Sequence, residues 1–130
     1  MAPAESPVVR LEAVALVAVG GFAGANLRYA ADLVVGGLPA TLLANVLGAF
    51  ALGVVLYERR FAGDLAAETR AVVATGFLSS FTTYSTFALQ SAGAPPRWLA
   101  ANVLATYALG FAAVLAGRAV ARTAARRWAG

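Results

Sequence analysis

Apolar residues in this chain come in four long runs separated by short polar or turn-forming links. The first runs from about Leu11 to Tyr29, the second from about Pro39 to Tyr57, the third from about Ala71 to Leu89 and the fourth from about Trp98 to Val120. Each is close to the ~20 residues a helix needs to cross a hydrocarbon core of ~30 Å. The links fit that division. Gly36-Gly37-Leu38-Pro39 is turn chemistry, and the stretch from Glu58-Arg59-Arg60 to Arg70 alternates in charge. Gly93-Ala94-Pro95-Pro96 stops the third run and lets Pro96 open the fourth. The first run reads as a span rather than a cleaved signal peptide, because its flank mixes acids with arginine and no cleavage site leads into a soluble domain. The four spans use most of the 130 residues. The pattern therefore predicts a single all-α integral membrane domain, residues 1–130.

The third run departs from the others. Residues 79–87 read Ser-Ser-Phe-Thr-Thr-Tyr-Ser-Thr-Phe, six aliphatic hydroxyls and three aromatic rings inside an otherwise apolar span. Lipid offers hydroxyl and backbone groups no partners, so this segment should face protein, water or an ion. Two β-branched threonines beside two serines favour a local break in the helix, with hydroxyls satisfying the freed backbone groups. Unwound backbone at the membrane midplane exposes carbonyl oxygens that suit hard cations such as sodium. At helical spacing Thr82, Ser85 and Thr86 share one face, and Tyr84 and Phe87 share another. Aromatic rings three residues apart offer electropositive edges in a line, which suit a small anion.

Composition narrows the chemistry. The chain is 61% hydrophobic and 12% charged, with no cysteine and no histidine. Disulfides, thiolate metal sites and cysteine nucleophiles are excluded, and so are the commonest general base and metal ligand. The net charge of +4 comes entirely from arginine. The arginines sit at the ends of apolar runs, so membrane anchoring accounts for them better than nucleic acid does. With four spans, Arg10, Arg59, Arg60, Arg70, Arg118, Arg122, Arg126 and Arg127 fall on one side, and Arg28 and Arg97 on the other. Eight against two predicts both termini in the cytoplasm of a multi-pass cell-membrane protein.

Other polar residues within spans leave alternatives open. Asn45, with Gly48 nearly on its face, could glue helices together or line a path. Asn102 and Thr106 share a face of the fourth span, as packing or as a polar track. Arg28, ending the first span, either snorkels to headgroups or stands at the mouth of an anion path.

Four pieces, taken in order, resemble the CrcB/Fluc fluoride channels. They are Gly20-Gly21-x-x-Gly24-Ala25-x-x-Arg28-Tyr29; Thr41-Leu42-x-x-Asn45-x-x-Gly48-x-Phe50-x-x-Gly53; Gly76-Phe77 followed by Thr82-Thr83-Tyr84-Ser85-Thr86-Phe87; and Asn102-Val103 with Gly110. The resemblance covers nearly the whole chain. It implies an antiparallel dimer of four-helix subunits, each with a broken third helix, and two narrow pores that export fluoride passively. It implies that Asn45, Tyr84, Phe87, Ser85, Thr86 and Thr106 line the pore and that Arg28 occupies the vestibule. It also implies a structural sodium ion at the dimer centre, held by backbone carbonyls of Ser79 and Thr82.

The sequence departs from the family pattern at two places. Tyr84 stands where the family usually has phenylalanine, adding a phenolic donor. Ser79-Ser80-Phe81 replaces a usually glycine-rich segment. The arginine bias bears on the partner. A homodimer inserting both ways needs balanced flanking charge, so eight against two favours a fixed orientation and pairing with an oppositely oriented paralogue. The competing reading is a small proton-coupled multidrug exporter using Glu12, the only carboxylate within reach of the first span. A membrane enzyme has little to work with. Asp32, Asp64 and Glu68 lie in links, without His, Cys or a phosphate-binding glycine loop.

Overall fold

The structure is a computed structural model and describes residues 7–61 and 66–128; the side chains of 59–61 and 128 are not described. Asp64 and the side chains of Arg59 and Arg60, part of the charge pattern above, thus lie outside the described residues. Six α-helices and one π-helical segment follow in order: α1 (Pro7–Val34), α2 (Gly37–Phe61), α3 (Ala67–Arg70), the π segment (Ala71–Leu78), α4 (Ser79–Phe81), α5 (Tyr84–Gly93) and α6 (Pro96–Trp128). No strand occurs among the described residues. Among the described residues, three helices are long and apolar enough to cross a membrane: Pro7–Val34, Gly37–Glu58 and Pro96–Arg127.

The helices reach beyond the apolar runs. α1 continues past Tyr29 to Val34 and α6 past Val120 to Trp128. The added residues, such as Ala30-Ala31 and Ala124-Ala125, are strong helix formers with no breaker among them. α1 stops just before the Gly36-Gly37 pair. Gly36 and Gly37 have φ of 71° and 60°, in the left-handed region that glycine enters without steric cost. At the other hairpin Ala94 is extended, and Pro95 accepts from the N–H groups of Trp98 and Leu99 at 2.9 and 3.0 Å. Pro96 then sits at the first helical position, where its missing N–H costs nothing.

Packing is by close backbone approach. α2 lies parallel to α6, and a Cβ on Gly53 would come within 2.5 Å of the Val114 carbonyl oxygen. α1 lies parallel to the π segment, and a Cβ on Gly76 would come within 2.6 Å of the Val17 carbonyl oxygen. Small residues that let backbones touch are the usual means of helix association in lipid. Large apolar side chains point outward instead: Phe22 is 75% exposed, Leu104 71% and Phe111 69%. Helices apolar on their outer faces suit a hydrocarbon surrounding rather than water.

One end of the bundle collects charge. Arg70 on α3 donates to Glu58 at the end of α2 at 3.2 Å. The Arg118 guanidinium lies 5.1 Å from the centre of the Tyr57 ring. The end of α2, the start of the third run and the basic half of α6 therefore meet.

Candidate functional site

The helical path from Ala67 to Gly93 is interrupted at Thr82 and Thr83. Thr82 has φ −80° and ψ 158°, Thr83 φ −151° and ψ 126°, both extended. Extended backbone inside a bundle must find partners for its amides. Asn45 on α2 provides them for Thr83. Its Oδ1 accepts from the Thr83 N–H at 2.8 Å, and its Nδ2 donates to the Thr83 carbonyl at 2.9 Å. A carboxamide matches a peptide group donor for acceptor, so one side chain serves both sides of the break.

Hydroxyls finish the termini. The Thr83 side chain caps α5, its Oγ1 accepting from the Thr86 N–H at 3.2 Å. The same oxygen lies 3.1 Å from the Thr86 hydroxyl and 3.4 Å from that of Ser85. On the other side, Thr82 returns its hydroxyl to the Leu78 carbonyl at 2.9 Å. Ser79 donates to the carbonyls of Thr75 and Gly76.

These bonds have a consequence for the carbonyls of Ser79 and Thr82. In a continuous α-helix their donors would be the N–H groups of Thr83 and Thr86. Thr83 gives its N–H to Asn45, and Thr86 gives its N–H to the Thr83 hydroxyl. Both oxygens are thus released from the helical ladder, and oxygen donors of this kind suit a hard cation. Among the described residues no group of three or more His, Cys, Asp or Glu could hold a metal with side chains.

Two cavities flank the break. The larger, about 510 Å³, opens between α2, the break and α6. Asn45, Ser79, Thr82, Tyr84, Phe87 and Thr106 line it. The smaller, about 240 Å³, is lined by Arg28, Asp32, Thr41, Thr83 and Thr86 among others. Thr83 borders both. Of the residues expected to line a pore, Ser85 lines neither cavity and is exposed. Glu12 is exposed on α1 and also lines neither.

An aromatic ladder runs from the break to α6. The Tyr84 and Phe87 ring centres are 5.8 Å apart, Phe87 meets Tyr107 edge-on at 6.3 Å and 88°, and Tyr107 lies 6.5 Å from Phe111. Phe87 is buried, whereas Tyr84 is 73% exposed. Asn102 ties α6 to α5 by donating to the buried Ser91 hydroxyl at 2.8 Å. Two buried oxygens near this ladder, Thr106 Oγ1 and Gln90 Oε1, have no hydrogen-bond partner. Such groups are costly unless something polar meets them.

Three residues stand out that the sequence reading did not select. Thr83 is the hub of the break; the signal for it was a threonine three residues before another at a helix start. Tyr107 and Gln90 carried no local signal, since an aromatic or an amide in a span reads equally well as packing.

The family described as "CrcB-like protein, Camphor Resistance (CrcB)" matches residues 15–118. The chain is 56% identical over 116 residues to the fluoride-specific ion channel FluC 1 of Haloarcula marismortui, covering 89% of this chain and 91% of that one. It is 56% identical over 111 residues to the fluoride-specific ion channel FluC 2 of Halobacterium salinarum, covering 85% and 87%. More distantly, it is 40% identical over 119 residues to the fluoride-specific ion channel FluC of Roseiflexus sp., covering 82% and 94%.

Proposed function

The chain belongs to the CrcB-like family, and from that membership we propose that it is a fluoride-selective channel that lets fluoride leave the cell passively. The observation that carries the reading is the break at Thr82–Thr83, held open by Asn45 between two cavities, one of which contains Arg28. Fluoride is small and binds water tightly, so a selective path must replace that water with donors. The hydroxyls of Thr86 and Thr106 can donate, as can the second Nδ2 hydrogen of Asn45. The ring edges of Tyr84 and Phe87 add weak electropositive contacts along the larger cavity. Arg28 raises the anion concentration at the smaller one. Transport of this kind needs no acid, base or nucleophile.

Assembly belongs to the same proposal. The subunits pair antiparallel, so that two breaks meet and the exposed Tyr84 and Ser79 become interfacial. The released carbonyls of Ser79 and Thr82 support a sodium site there, in which the ion would supply fixed positive charge and tie the two breaks together. All four runs cross the bilayer, the third as a broken helix, with both termini in the cytoplasm. The arginine bias supports a single orientation and an oppositely inserted paralogue as partner. A tag on the carboxyl terminus of the chain expressed alone would appear on one side of the membrane; equal populations on both sides would refute the fixed orientation.

The functional test is growth. Cells stripped of fluoride export should tolerate fluoride when they express this chain, alone or with a neighbouring paralogue. No rescue by either, with the protein present in the membrane, contradicts the proposal.

A further inference from the structure

α6 is longer than a membrane requires. Its 33 residues extend about 50 Å, against a hydrocarbon core of ~30 Å. Its last turns therefore reach the headgroup layer, and one face there is basic. Arg118, Arg122 and Arg126 recur every fourth residue and, with Leu115, Ala119 and Thr123, line a surface groove of about 450 Å³. All three arginines are exposed, and among the described residues no carboxylate lines the groove. The nearby acid Glu58 is engaged by Arg70. Arg118 is also steadied over the Tyr57 ring, which fixes one face of its guanidinium and leaves the edge available. Towards the membrane the groove ends on Leu115, which is 59% exposed, and one turn further lies Phe111. The surface thus grades from apolar to cationic within about 15 Å along one helix.

We infer that this groove binds the headgroup of an anionic phospholipid, with Arg118 and Arg122 on the phosphodiester and an acyl chain along Leu115 and Phe111. Guanidinium forks match phosphate oxygens two at a time. The apolar approach selects a lipid over a free anion, which would gain nothing from Leu115 and Phe111. Arg122 and Arg126 lie beyond the family match, which ends at residue 118.

The test is native mass spectrometry of the full chain in detergent, titrated with phosphatidylglycerol or phosphatidylcholine. The wild type should retain phosphatidylglycerol preferentially. The double variant Arg118→Ala/Arg122→Ala should lose about 25-fold in affinity, at about fivefold per basic residue near a lipid surface. Arg118→Lys/Arg122→Lys, which keeps the charge but not the fork, should fall between. The double variant Arg10→Ala/Arg97→Ala removes the same charge elsewhere and should bind like wild type. An equal loss in that control, no preference for the anionic lipid, or displacement by inorganic phosphate at lipid-equivalent concentration would each overturn the inference. Circular dichroism of each variant establishes that the helices are intact.

Discussion

Asn45 and Thr83, 38 residues apart in sequence, pair as two amides do, with hydrogen bonds of 2.9 and 2.8 Å in opposite directions. That pair keeps a two-residue extended segment solvated by protein within a membrane bundle. It also turns the Thr83 N–H away from the Ser79 carbonyl, so the break and the release of that oxygen are one event. The alternative roles of Asn45, helix glue and path lining, merge here, because the amide that ties α2 to the third run borders the larger cavity.

Replacing Asn45 by Ala strands two backbone groups. Each such group costs about 1–3 kcal/mol, so the variant should lose about 2–6 kcal/mol of stability and most of its fluoride efflux. Thermal unfolding in detergent, followed beside efflux from liposomes, measures both. A variant as stable as wild type would mean that water takes over the role of the carboxamide.

Thr83→Ala removes the α5 cap, at a cost of about 1 kcal/mol, together with the hydroxyl's contacts to Ser85 and Thr86, leaving the Asn45 bonds in place. Thr83→Val keeps the shape without the hydroxyl and separates the cap from steric effects. Because Thr83 borders both cavities, efflux should fall further in both variants than the stability change alone explains.

Phe87→Ile keeps bulk and apolarity but removes the ring that meets Tyr107 edge-on. Assembly should survive, as judged by gel filtration. The lost ring pairing alone, about 0.5–1.5 kcal/mol, corresponds to a two- to tenfold effect. Efflux should drop by at least that much if the ring edge faces the ion.

Arg28→Gln should slow efflux at low ionic strength and matter less at high salt, since charges that water reaches are screened within about 10 Å at 0.1 M. A salt-independent loss would assign Arg28 to structure rather than to anion concentration. Glu12→Gln should leave fluoride efflux unchanged, because Glu12 is exposed and lines neither cavity. A loss there would revive proton coupling.

The order of the helices was legible because glycine and proline punctuate the chain at Gly36, Gly93 and Pro96, where the backbone in fact turns. The disturbance in the third run was legible because six hydroxyls cannot be left to lipid. What sequence could not supply was the geometry of that disturbance. Helical spacing grouped Thr82 with Ser85 and Thr86, yet the break places Thr82 at the end of α4, and Thr83 takes its place as their partner. The π-helical form of Ala71–Leu78 was invisible, since a uniformly apolar stretch has the same pattern at either helical pitch. Tyr107 is tied to Phe87 only through the α5–α6 hairpin, a tertiary contact with no local signature. The ends of α1 and α6 ran past the apolar runs because helix propensity, unlike hydropathy, does not stop at the membrane surface.

Fluoride is proposed to follow a path past the Asn45-held break. The most direct measurement of that path is anion efflux from liposomes carrying this chain, alone and with its paralogue, and loaded in parallel with fluoride or chloride. Rapid fluoride release, retained chloride, and loss of release in Asn45→Ala and Phe87→Ile are expected. Equal passage of both halides, or fluoride release untouched by either substitution, would contradict the proposal.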